Sequence, residues 1–321
     1  MNHKYLYIIA ILSSHLIACT SSNVTAQGSK VAAEDILRTI QEGKDVWLEN
    51  KTIEGTIDFT QLTTANIESN AVTRHHVTGS ITVKNCDIKG KIICYRAEQD
   101  MHHLVAFAKN ISFISCKFKD EVQIRESSVY GRVVFTGCTF DKITIFEGST
   151  FVMDATFGDA QFNEETRFQN CNFQHRSNFM NAQFDKTVSF QGSNFALDAQ
   201  FSNVHFHGYA DMTVINWTSH CFFNYAEFKQ QAIFNNSYFK GRAEFIATVF
   251  GGNTELKHCY FYGYTRFNNA KLNDKLTLDY SSFILAMPET TGFAKGDKLK
   301  ISLVDTKVWG NQSLSEKDFG Q

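Results

Sequence analysis

The stretch FGDAQFNEETRFQNCNFQHRSNF, residues 157–179, spaces its phenylalanines by five, six, five and six residues. The same alternation runs outward in both directions, from Phe107 to Phe283. It has 33 positions, and 26 of them are Phe. The others are Ile124, Val129, Met212, Trp217, Leu256, Leu272 and Leu278, and only four of the 30 phenylalanines fall outside the register. An unbroken period of 11 over this length dictates a solenoid of stacked repeats, a class that binds or supports more often than it catalyses.

A second layer accompanies the first. Two residues before each large position sits a small one, as in Ala155, Ala160, Thr166, Cys171, Ser177 and Ala182; Ile111, Ile215 and Leu276 are the main large exceptions. An offset of two returns a strand side chain to the same face, so each unit sends one large and one small side chain inward, with polar residues facing water. This pattern resembles the pentapeptide-repeat family, whose units read small, polar, Leu or Phe, polar, polar. The departure here is that every second unit has six residues.

The resemblance implies an all-β fold, a right-handed quadrilateral parallel β-helix with four units to a coil. Carried onto this sequence, a coil has 22 residues and stacks Phe113, Phe135, Phe157 and their successors to Phe267 on one inner face. A second face runs Ile124, Phe146, Phe168, Phe190, Met212, Phe234, Leu256 and Leu278. Such an interior is filled by the fold and leaves no ligand channel. Each buried Phe contributes roughly 1.5–3 kcal/mol before entropy is subtracted.

Outside the repeat, Val31–Glu42 has helical spacing, with Ile36, Leu37 and Ile40 on one face and Gly43 as a stop. A short helix there caps the open first coil, which protects exposed strand edges. Residues 31–79 are read as this cap helix and irregular strands, and 80–285 as the β-helix. Tyr95–Ala106 breaks the register and reads as a loop (95–106) inserted between coils. Pro288, the single proline, marks where pairing can stop, so 286–321 is expected as a C-terminal cap and loose tail, with Lys298–Leu303 as a final strand.

Residues 1–18 have the form of a targeting segment, with Lys4 ahead of a short apolar run too short and polar to span a bilayer. The run ends in Leu16-Ile17-Ala18-Cys19, which resembles the bacterial lipobox. That resemblance implies lipidation of Cys19, a flexible tether over 19–30, and a cell-envelope protein held on a membrane, with Thr20 favouring the outer membrane facing the periplasm. The alternative is an ordinary signal cleaved after Val24-Thr25-Ala26, leaving a free periplasmic protein. A net charge of −2 argues against both a nucleic-acid binder and an acidic nucleic-acid mimic.

Chemistry is sparse. Cysteines 86, 116, 138, 171, 221 and 259 fall in the small inward layer and read as small hydrophobes, while Cys116 and Cys138, one coil apart, leave a disulfide open. The doublets His75-His76 and His102-His103 suit an exposed loop, although the second lies beside Glu98 and Asp100, nominal metal-binding partners. His205 and His207 flank Phe206 and point outward, with no matching acid and nucleophile converging there. No catalytic residue, metal or cofactor is expected. Tyr238 and Tyr260 occupy equivalent outward positions one coil apart, with Tyr262 and Lys240 beside them. They form a candidate platform for a protein or glycan partner, or simply a good strand surface.

The expected function is a non-enzymatic, membrane-anchored envelope lipoprotein that acts as a scaffold or protein-interaction module. Alternatives are a glycan-binding or glycan-processing envelope protein, and a gyrase-directed nucleic-acid mimic of the kind the family includes. The leader and the near-neutral charge disfavour the last.

Overall fold

The computed structural model describes residues 29–69, 71–295 and 300–319. The leader 1–18, Cys19 and the tether up to residue 28 lie outside the described residues. The described chain winds into four sheets of 12, 14, 10 and 11 strands. Coil stacks on coil in parallel with a 22-residue offset, so that Gln161 faces Gln183 and Phe162 faces Phe184. Within one coil Ala155–Thr156, Gln161–Phe162, Thr166–Arg167 and Asn172–Phe173 supply faces one to four.

All 33 register positions are buried, none more than 4% exposed. Phe168 and Phe190 stack at 4.8 Å and 1°, and Phe173 and Phe195 at 4.6 Å and 4°. The ladder expected from Phe113 to Phe267 is present, from 5.4 Å at Phe113–Phe135 to 5.1 Å at Phe245–Phe267. Neighbouring ladders meet edge to face, as in Phe179 against Phe190 at 5.2 Å and 88°. Offset-stacked and edge-on pairs each add about 0.5–1.5 kcal/mol beyond burial. Repeated along the rod, these contacts make one continuous core.

The alternation of five and six corresponds to two kinds of corner. Five-residue units turn through a residue of positive φ two places after the large one: Asp159 at 58°, Asn170 at 55°, Asn181 at 60° and Asn203 at 57°. The next N–H closes the turn onto the large residue's carbonyl, as Ala182 does onto Phe179 at 3.0 Å. Asn and Asp tolerate this left-handed conformation best after Gly, because their short polar side chains bond locally. Six-residue units corner without such a residue, and several bring backbones too close for a side chain. A Cβ on Gly208 would lie 2.3 Å from the carbonyl carbon of Lys186.

At the N-terminal end, helix α1 (Ala33–Gln41) lays Ala33, Ile36 and Ile40 on the first coil, with Leu37 partly buried against the core. Glu34 and Asp35 stand in its first turn, where the helix dipole favours acids. Gly43, at φ 71°, ends it by donating to the Ile40 carbonyl at 2.9 Å.

Three expectations about the ends need correction. Coiling begins before residue 80: Val46–Glu49 pairs with Ile81–Lys84 and Thr52–Glu54 with Asp87–Ile88. The step from Val46 to Ile81 is 35 residues, because a hairpin of Ala65–Ser69 and Val72–Val77 is spliced into that coil. The segment 95–106 is not a loop. Tyr95–Glu98 and Met101–Phe107 form a second hairpin, and the latter strand lies parallel to Val72–Val77 over six residues in face four. The 11-residue pattern lapses here because the strand is longer than two residues.

Pairing does not stop at Pro288 either. Glu289, Ala294–Lys295, Ile301–Ser302 and Lys307–Val308 each add to a face as a further coil. On face one the residue in Pro288's place donates its N–H to the next coil, as Ala243 does to the Tyr264 carbonyl at 3.0 Å. With no coil to follow, a proline there forfeits nothing. Three of the four off-register phenylalanines belong to the caps. Phe59 meets Phe107 edge-on at 5.2 Å, and Phe293 and Phe319 pack together at 5.3 Å over Phe267.

Candidate functional site

Because the interior is filled, any recognition of a partner falls to the outer lattice. Tyr238 and Tyr260 are register partners on face four, their rings 5.4 Å apart and within 7° of parallel. Tyr262 lies 6.4 Å from Tyr260. In the three coils before Tyr238 the same column holds Asn172, Asn194 and Asn216, joined by side-chain amide hydrogen bonds along the column at 3.0 and 2.7 Å. The column thus changes from a self-satisfied amide ladder to aromatic rings at Tyr238.

Beyond Tyr238 the surface becomes apolar. Of 17 large apolar residues exposed among the described ones, nine lie from Tyr238 onward, all on face four or its two corners. They include Tyr264, Ile284, Leu285 and, at 66% exposure, Trp309. A shallow groove of ≈ 200 Å³ opens between Ile284, Lys307 and Trp309. Scattered exposed apolar residues need no explanation, but a contiguous run of them marks an interaction surface. Because Tyr238 and Tyr260 cover part of each other's faces, they offer edges and hydroxyls more than an open ring face.

The N-terminal hairpins hold a different set. The neighbours His102 and His103 project to opposite sides of their strand, as strand geometry requires. His102 Nδ1 bonds the Tyr95 hydroxyl at 2.8 Å, whereas His103 Nδ1 lies 3.0 Å from His75 Nε2. His75 is buried and donates Nδ1–H to the Leu62 carbonyl at 2.6 Å, so its Nε2 must accept from His103. Burial, and then the nearby His103, holds His75 below the usual imidazole range. The doublet therefore cannot chelate one ion, and both nitrogens of His75 are engaged.

Comparison with known families agrees with the repeat architecture. A family model for pentapeptide repeats matches residues 113–160, 124–171 and 168–214. Residues 113–214 are a stretch of pentapeptide repeats. Its register continues past the matched residues to Phe283. No curated protein matches the sequence. Among solved structures, HetL, a pentapeptide-repeat protein involved in heterocyst differentiation regulation from the cyanobacterium Nostoc, is similar at 13% identity. That match covers 88% of this chain and 100% of HetL, with a TM-score of 0.33.

Within the coils the small layer does more than fill space. Ser193 Oγ donates to the Phe168 carbonyl at 2.6 Å and accepts the Cys171 N–H at 3.0 Å. Cys171 Sγ reaches the Phe146 carbonyl at 3.0 Å, and Cys259 Sγ that of Phe234 at 3.1 Å. At these corners Cys thus stands in for Ser or Thr as a donor, a role beyond that of a small hydrophobe. Cys116 and Cys138 are free and buried, and Cys86 joins them in the same column. The neighbouring Cys138 thiol, helped by burial and opposed by contacts with Cys86, pushes Cys116 up to about 12, and burial does the same to Cys259. Thiols held protonated in this way are poor nucleophiles.

Sequence reading missed the partners of the outward histidines. Glu227 Oε2 lies 3.1 Å from His205 Nδ1, and Asp185 Oδ1 lies 2.9 Å from His207 Nδ1. Each carboxylate is 22 residues from its histidine, so the coil period was the signal that could have found them. Among the described residues no group of three or more His, Cys, Asp or Glu is placed to hold a metal. No described helix is long and apolar enough to cross a membrane.

Proposed function

We propose that this pentapeptide-repeat protein is a non-enzymatic interaction scaffold of the bacterial envelope, lipid-anchored at Cys19, that presents face four to a protein partner. The observation that carries the reading is the concentration of exposed aromatic and aliphatic residues at the C-terminal end of that face, beside a core with no vacant interior. Tyr and Trp at an exposed patch supply large, rigid contact area with a polar tip, the composition of protein-binding surfaces. A glycan partner is less well served, because sugars stack on open ring faces and the Tyr238–Tyr260 pair partly covers its own.

The anchor and the surface are tested separately. Growth with labelled palmitate should label the wild type and leave Cys19→Ser unlabelled; an unlabelled wild type contradicts the anchor. A photo-crosslinking residue at Tyr262 or Ile284 should give a discrete protein adduct in intact cells, while one at Gln161 on face two gives none. Equal yields from both faces, or none from either, argue against the docking role.

A further inference from the structure

We propose that His205 and His207 form a binding site for a late first-row divalent transition metal ion, Cu²⁺ or Zn²⁺, with water completing its coordination. Both residues project from face two, on either side of Phe206, with ring centroids 6.2 Å apart. Each Nδ1 is held by a carboxylate on an adjacent coil: Glu227 for His205 at 3.1 Å, and Asp185 for His207 at 2.9 Å. A carboxylate only accepts, so each Nδ1 carries the proton. In the neutral imidazole that leaves Nε2 as a free lone pair.

Within the described residues neither Nε2 has a hydrogen-bond partner, and both side chains are partly open to solvent, 43% and 31% exposed. This is the carboxylate–histidine arrangement that orients metal-binding imidazoles and raises their basicity. It is duplicated on two residues of one strand face. The two carboxylates also set a negative local field, offset in part by Lys229, which neighbours His207 one coil on. With metal–nitrogen bonds of about 2.0–2.1 Å and a tetrahedral angle, two ligating rings have centroids about 5 Å apart. The two partly exposed side chains must therefore close by about 1 Å to share an ion. Imidazole nitrogens suit copper and zinc, with Cu²⁺ bound more tightly of the two.

The test is Cu²⁺ titration of the purified, untagged full-length protein, followed by electron paramagnetic resonance. The expected result is one strong equivalent whose spectrum shows two coordinated imidazole nitrogens. Both His205→Ala and His207→Ala should lose that signal while circular dichroism stays unchanged; His102→Ala should keep it. Glu227→Gln with Asp185→Asn should retain the two-nitrogen signal with affinity lowered about 10–100-fold. Absence of a strong equivalent, or a two-nitrogen spectrum that persists in both alanine variants, overturns the site.

Discussion

The coils between Phe113 and Phe283 and the irregular segment from Val46 to Phe107 belong to one sheet system, yet they handle polar groups in opposite ways. From Lys117–Phe118 to Ser282–Phe283 each strand of the regular coils is two residues long, and the inward side chains are apolar or short hydroxyls and thiols, several of them bonded to backbone. In the irregular segment strands reach seven residues, two hairpins protrude, and His75 and Asp58 are buried. A repeat that stacks identical positions every 22 residues cannot bury a charge once without placing its neighbours against it. Irregular geometry removes that constraint, and the buried imidazole of His75 is found there.

The largest expected effect separates the two regions. Phe190→Asp, in a ladder with rings at 4.8 Å from Phe168 and 5.2 Å from Phe179, buries an unpaired carboxyl and should cost several kcal/mol, abolishing the folded state or its cooperative melt. The same change at Trp47, which is 63% exposed in the irregular segment with Lys84 over its ring, should cost no more than about 1 kcal/mol. Comparable losses in thermal denaturation would erase the distinction.

A middle-sized effect probes the hydroxyl-lined corners. Ser193→Ala removes the bond to the Phe168 carbonyl and leaves the Cys171 N–H without its side-chain acceptor, so denaturant titration should show a loss of about 1–3 kcal/mol. Ser193→Cys should recover part of it, because Cys fills the equivalent place at residue 171. The smallest effect has the opposite sign. Val214 occupies the positive-φ corner position at 58°, which is strained for a β-branched side chain. Val214→Gly should stabilise the rod by about 1 kcal/mol. Destabilisation by glycine there would show that the corner conformation does not set the six-five alternation.

The regular coils were legible from sequence because one residue type marks every inward position. The ladders, the helix over the first coil and the fully occupied interior follow from that marking. What escaped notice lacks the period. The strand Met101–Phe107 is seven residues long, so its register breaks and it resembles a loop. The coil beyond Pro288 is built from Glu289, Ile301 and Val308 at unequal steps, and its core partners Phe293 and Phe319 look like strays. The tyrosine column was visible because both rings sit 22 residues apart. The pairs Asp185–His207 and His205–Glu227 obey the same rule, but their partners lie a full coil away and are hidden from a local reading.

The regular coils are expected to form one cooperative body, and the irregular segment to carry the pH-dependent behaviour that buried His75 confers. Amide hydrogen exchange followed by mass spectrometry tests this most directly, at pH 7.5 and again at pH 5.5. Burial depresses the His75 pKa, so the unfolded chain takes up the proton first. Its stabilising contribution is intact above the ordinary value of 6.5 and is lost as pH falls from there toward the folded value. Asp58, Arg96, His103 and Glu98 are the charged or titratable groups around it. With the pH dependence of intrinsic amide exchange divided out, peptides from 113–283 should be strongly and uniformly protected at both pH values, while peptides spanning His75 and Tyr95–Leu104 are less protected and lose further protection at the lower pH. A mid-rod coil that exchanges as fast as the hairpins at pH 7.5, or hairpins indifferent to the drop in pH, would contradict the account.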